Sequence, residues 1–133
     1  MILLDTHVLH WYELGVPGLG TQTIAALDAA WQRGEIVVSA VSFWELALHV
    51  MLRRIELDRP IAVWRRELLA AGLRELPLDG AIAIASVDLR NLHKDPADRF
   101  IAATALAWDA TLVTADRKLL AWEAPVVRID ARR

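Results

Sequence analysis

Short, unbroken apolar runs alternate along this chain with longer stretches in which apolar residues recur every three or four positions. The runs Ile2-Leu3-Leu4, Ile36-Val37-Val38-Ser39, Thr111-Leu112-Val113-Thr114 and Val126-Val127-Arg128-Ile129 read as strands, with a short extended piece at Leu76-Pro77-Leu78. Continuous runs of this length suit strands buried on both faces. Between them, the residues from Thr6 to Tyr12 read as the start of a helix, and Gly15, Pro17, Gly18 and Gly20 then mark a loop. Ile24, Leu27 and Trp31 form a helical stripe that Gly34 can end. Further helices are expected from Ser42 to about Arg53, from the turn opened by Pro60 to Gly72, from Gly80 to Leu92, from Asp95-Pro96 to Trp108, and from Arg117 to Trp122.

This alternation predicts an α/β fold, a three-layer α/β/α sandwich around a central parallel sheet. At 133 residues the chain fits a single domain spanning 1–133, and the Arg132-Arg133 tail is expected to fray. Apolar residues make up 56%. No stretch approaches the roughly 20 apolar residues of a membrane span, so that content belongs to a core or an interface, and a cytoplasmic address is the default. Cysteine is absent, which excludes disulfides and thiolate metal sites. A net charge of −2 argues against a broadly basic nucleic-acid surface.

The acids carry the candidate chemistry. Asp5 ends the first strand, and Asp116 follows the strand ending at Thr114. Glu45 and Asp98 fall in the first turns of two expected helices. In open parallel sheets, sites form beyond the carboxyl ends of the strands, so all four can meet at one edge. Each also has a structural explanation. Ser42-Phe43-Trp44-Glu45 reads as a capping box, Asp95 as a cap for the helix that Pro96 begins with Asp98 in its first turn, and Asp5 and Asp116 as caps or first-turn acids. Four converging carboxylates would repel one another unless a cation lay between them, and an oxygen-rich set suits Mg²⁺ or Mn²⁺. Such an ion can meet a phosphate where the protein surface cannot.

Four segments then match a known pattern in order: Asp5-Thr6-His7; Ser39-Ala40-Val41-Ser42-Phe43-Trp44-Glu45-Leu46-Ala47; His93-Lys94-Asp95-Pro96-Ala97-Asp98-Arg99; and Leu112-Val113-Thr114-Ala115-Asp116. Together they resemble the PIN domain, in particular the VapC-type toxins of bacterial toxin–antitoxin pairs. The resemblance implies a parallel sheet covered on both faces and an endoribonuclease dependent on Mg²⁺ or Mn²⁺, leaving 5′-phosphate and 3′-hydroxyl ends. It also implies RNA as substrate and an antitoxin partner that occludes the site, in a homodimer or a toxin–antitoxin hetero-oligomer. By the same resemblance Asp5, Glu45 and Asp98 match the metal-coordinating triad and Asp116 the fourth acid, with Thr6 and Thr114 as supporting hydroxyls. Three positions depart from the pattern: His49 stands where lysine is usual, Met51-Leu52-Arg53-Arg54 lacks an expected glycine, and Ala97 replaces a bulkier residue.

Two other classes compete. A catalytically inactive PIN-fold binding module would keep the fold without the chemistry, although all four acids are present. An aspartate-based phosphotransfer enzyme would also place Asp at the end of its first strand, but His7 stands where a dehalogenase-like site wants a second Asp. Among other residues, His7 and His10 read as a polar helix face and His93 as loop structure. Arg99 would meet RNA phosphate or pair with an acid, and Arg53, Arg54, Arg65 and Arg66 would meet RNA or form a solvated face. Trp31, Trp64 and Trp108 have core spacing, whereas Trp11, Trp44 and Trp122 could line a groove for an antitoxin helix.

Overall fold

The computed structural model describes residues 1–133 and joins five strands into one sheet. They are β1 (Ile2–Leu4), β2 (Ile36–Ser39), β3 (Arg74–Leu76), β4 (Thr111–Thr114) and β5 (Arg128–Asp130). Seven helices connect or follow them: α1 (Thr6–Leu14), α2 (Thr21–Gln32), α3 (Ala40–Met51), α4 (Ile61–Ala70), α5 (Gly80–Val87), α6 (Pro96–Trp108) and α7 (Arg117–Ala121). All four strand pairings are parallel, in the order β3-β2-β1-β4-β5. The expected α/β/α architecture is what the chain adopts.

Alternation along each strand divides the core. Leu3, Val37 and Leu112 face Ile101, Ala102, Ala105 and Leu119 on one side of the sheet. Leu4, Val38 and Val113 face Val8, Leu9, Leu27 and Trp64 on the other. Because side chains alternate across a strand, helices must cover both faces. No helix is long and apolar enough to cross a membrane.

The strand order has a consequence for the site. From β1 the chain moves to β2 and β3 on one side, then returns to β4 and β5 on the other. The order therefore reverses between β1 and β4, which opens a crevice beyond their carboxyl ends. Asp5 leaves β1 at this crevice, and Asp116 lies two residues past β4.

Several expected boundaries move, each for a local reason. β3 ends before Pro77, which has no N–H to add to a ladder. β5 begins at Arg128, two residues later than expected. Pro60 is the residue before α4 and not part of its first turn. α5 stops at Val87 instead of reaching Leu92, because the Arg99 guanidinium takes the carbonyls of Ser86, Val87, Leu89, Leu92 and His93. Arg99 is thus a staple for the α5–α6 loop, neither a phosphate contact nor an acid's partner. Trp108 is 42% exposed, against its expected core place, while Trp122 is buried and donates Nε1–H to the Arg90 carbonyl.

The tail is not frayed. Gly20 N–H donates to the Ala131 carbonyl and Thr23 N–H to the Arg133 carbonyl, so chain backbone does the work of a side-chain cap that α2 lacks. A Cβ on Gly20 would lie 1.8 Å from the Arg133 carbonyl carbon. Gly20→Ala is therefore expected to lower stability by about 1–3 kcal/mol, as overpacking does. Thermal melts check this: deleting Arg132 and Arg133 should remove most of the difference between the wild-type and Gly20→Ala chains.

Candidate active site

Asp5 is buried at the N-terminus of α1, and each of its oxygens has a protein donor. Oδ1 accepts the Thr6 N–H at 2.8 Å, as an N-cap does, and Oδ2 accepts the Thr114 hydroxyl at 2.6 Å. Thr114 Oγ1 in turn accepts the Asp116 N–H at 3.0 Å, so one hydroxyl ties the end of β1 to the β4–α7 turn. His7 reinforces the tie. Its Nε2 accepts the Ala115 N–H at 3.0 Å, which leaves the ring proton on Nδ1, 3.5 Å from Asp5 Oδ2. His7 is more than a polar helix face, and its place two residues after Asp5 was the available signal.

Glu45 reaches the same crevice from α3. That helix begins at Ala40 with Ser39 as its cap, two residues before the expected start. The capping box is consequently absent, because Ser42 is already helical and Glu45 is in the second turn. The Thr6 hydroxyl donates to Glu45 Oε1 at 2.5 Å, and Ser42 Oγ lies 2.9 Å from Thr6 Oγ1. One hydroxyl has one proton, so Ser42 donates to Thr6 while Thr6 donates to Glu45. Freed from capping, the carboxylate faces the cleft. Burial pushes the Glu45 pKa up, the Thr6 hydrogen bond partly offsets that, and Asp5 and Asp95 push it further up.

Asp98 sits in the first turn of α6, below the cap that Asp95 makes to the N–H groups of Ala97 and Asp98. Its carboxyl is pushed up to about 8, first by burial and then by Asp5, Asp95, Asp116 and Glu45. Three of those neighbours, Asp5, Glu45 and Asp116, are the acids expected to meet Asp98 here; Asp95 was expected only as a cap. Asp5, Thr6, Glu45 and Asp98 line one cleft of about 280 Å³ together with His7, His10, His49 and Arg54. Asp98 also opens onto a second depression with His93, Asp95, Asp116 and Lys118. Asp116 caps α7 through the N–H groups of Lys118 and Leu119.

All four acids and both threonines thus gather at the sheet's switch point, and no arginine or lysine forms an ion pair with any of the four. A set of carboxylate oxygens with no arginine or lysine to neutralise it fits a hard divalent cation. His93, set aside as loop structure, joins the group. Its Nε2 lies 3.0 Å from Asp98 Oδ2 but lacks hydrogen-bond alignment, and that atom is buried with no other partner. Of the arginines considered for RNA, Arg65 is engaged by both oxygens of Glu75, while Arg54 remains at the cleft.

A family model, PIN domain, matches residues 2–123. The chain belongs to the PIN-domain family. Over 119 residues this PIN domain is 36% identical to Ribonuclease VapC22 of Mycobacterium tuberculosis (strain ATCC 25618 / H37Rv), covering 89% of this chain and 88% of that protein. Solved structures share the fold. The PIN domain superposes on a chain of the structure of FitAB bound to IR36 DNA fragment with a TM-score of 0.70 at 26% identity, covering 97% and 94% of the two chains. It superposes on VapBC2 from Rickettsia felis, bound to a promoter DNA fragment, with a TM-score of 0.71 at 19% identity, covering 97% and 98%. A toxin–antitoxin complex from Klebsiella pneumoniae gives 0.68 at 21%, covering all of both chains. The four segments read from sequence all lie inside the matched region.

Proposed function

We propose that this PIN domain is a divalent-metal-dependent endoribonuclease, the toxin of a toxin–antitoxin pair acting in the cytoplasm. One observation carries the reading: three carboxylates from three separate elements line one cleft at the switch point of the sheet, and none is paired with an arginine or lysine. Similarity to a protein named as a ribonuclease, and to chains from toxin–antitoxin complexes, supports it.

In this reading Asp5, Glu45 and Asp98 hold Mg²⁺ or Mn²⁺, and Asp116 completes the site from the β4–α7 turn. A bound divalent ion supplies Lewis acidity toward a phosphodiester. The chain's own residues supply the order. Thr114 and Thr6 fix one oxygen each of Asp5 and Glu45, so both carboxylates are oriented before substrate arrives. Arg54 gives the cleft a cation that can meet a neighbouring RNA phosphate. An antitoxin has a landing place nearby. Beyond His7 and His10, α1 presents Trp11 and Tyr12 to a cavity of about 620 Å³ whose lining joins Val16, Leu19, Ile24 and Trp31 with Glu13 and Asp28.

The test is cleavage of end-labelled RNA by the purified chain. Cutting is expected with Mg²⁺ or Mn²⁺, with none in excess chelator and recovery when the ion is restored. Undiminished cutting in chelator would overturn the metal role. A folded chain that cuts no RNA with either ion would overturn the nuclease reading.

A further inference from the structure

We infer that His93 is a nitrogen ligand which, with Asp98 and Asp116, makes this edge of the site select Mn²⁺ over Mg²⁺. The inference rests on the metal reading proposed above and adds to it the identity of the ion.

The geometry comes first. One ligand atom from each of His93, Asp98 and Asp116 falls within 4.8 Å of the others, a spacing that a single ion can span. Asp98 belongs to this group and to the cleft with Asp5 and Glu45, so it joins the two sides of the site. His93 Nε2 is buried, stands 3.0 Å from Asp98 Oδ2, and makes no aligned hydrogen bond. A buried ring nitrogen without a partner is costly, and the cost needs a compensating contact.

The loop holding the ring is fixed, not free. Arg99 donates to the Leu92 and His93 carbonyls, and it also binds Ser86, Val87 and Leu89. At the other ring edge, Nδ1 receives only the Asp95 N–H at 3.4 Å. That is long for a hydrogen bond, so moving the ring proton to Nδ1 and freeing the Nε2 lone pair sacrifices little.

Ligand chemistry then sets the metal. Mg²⁺ is held by oxygens and keeps several waters, whereas imidazole suits the transition ions, and affinity rises from Mn²⁺ along the first row. A site with carboxylates alone discriminates weakly between Mg²⁺ and Mn²⁺. Adding one imidazole nitrogen tips it to Mn²⁺.

The experiment measures binding, not cleavage. Mn²⁺ is titrated into metal-free wild-type and His93→Gln chains by electron paramagnetic resonance, and Mg²⁺ by calorimetry, with circular dichroism confirming the fold. The variant is expected to lose at least about tenfold in Mn²⁺ affinity, since losing a residue that only supports a ligand already costs about 10–100-fold, with Mg²⁺ affinity unchanged within about twofold. Pulsed resonance on the Mn²⁺-loaded wild-type chain should also show a directly coordinated ¹⁴N, a readout that survives if the variant fails to fold. Absence of that coupling, or Mn²⁺ binding unchanged in the folded variant, would overturn the role of His93 alone. A wild-type chain that binds neither ion would overturn the metal reading as well.

Discussion

Asp5→Asn is expected to lower RNA cleavage by at least about 10³-fold while leaving the chain folded. Loss of a residue that merely supports a metal ligand already costs about 10–100-fold, and Asp5 is proposed as a ligand itself. The fold should survive because Asn caps helices as well as Asp does, so its Oδ1 still accepts the Thr6 N–H of α1. The other oxygen becomes an amide NH₂. It would face the Thr114 hydroxyl, which donates to Asp5 Oδ2, with His7 Nδ1 3.5 Å away. Thr114 can turn to accept instead, but it already takes the Asp116 N–H, so a cost of about 1 kcal/mol in stability is expected. Cleavage time courses on end-labelled RNA, alongside circular dichroism and a thermal melt, check both halves. A folded Asp5→Asn chain cutting at the wild-type rate would remove Asp5 from the chemistry.

The reason Asp5 was legible in sequence is that its position depends on local pattern alone. A short apolar run followed by Asp-Thr at a helix start fixes both the strand end and the cap. Asp116 and Asp98 are legible for the same reason, since Thr114 ends a strand and Asp95-Pro96 opens a helix. Glu45 was named correctly for the cleft but on a helix whose start was misplaced. Ser39 and Ser42 are both competent caps, and only the packing of α3 against α1, where Ser42 meets Thr6, decides between them. Arg99 and His93 were not legible at all. Whether an arginine binds phosphate or five carbonyls depends on how the chain turns after α5, and no local pattern around Arg99 records that turn. Trp108 shows the limit of periodicity. It is the last residue of α6, and its ring lies partly outside although the spacing suits the core.

The metal-free chain is expected to become more stable as pH falls from 8.5 to 6.5. The carboxyl of Asp98 is pushed up to about 8 in the fold, against 3.8 as its ordinary value, chiefly by burial and then by the facing acids. Between those two values the folded chain holds a proton that the unfolded chain has released. Stability therefore declines with rising pH across the window, with a slope approaching about 1.4 kcal/mol per pH unit. Glu13 and Glu45, also pushed up by burial, act in the same direction as Asp98. Glu75 and Asp130 have lowered values and act below their ordinary acidic range, where they favour the fold at higher pH. The lowered value of His10 acts below 6.5. From pH 8.5 to 6.5 the gain integrates to about 2 kcal/mol, roughly 5–8 °C in melting temperature for a chain this size. Divalent ions reverse the sign of the problem, because they bind the deprotonated form and gain affinity as pH rises. At an ion concentration about 100 times its Kd, stabilisation of about 2.7 kcal/mol is expected, so the melting temperature at pH 8.5 should recover. Melts at three pH values, with chelator or with Mn²⁺, read both effects, and Asp98→Asn should flatten the chelator series. A wild-type melting temperature in chelator that is level, or rises, between pH 6.5 and 8.5 would mean that Asp98 is ionised in the empty site. The crowding of the four acids would then need no cation to relieve it.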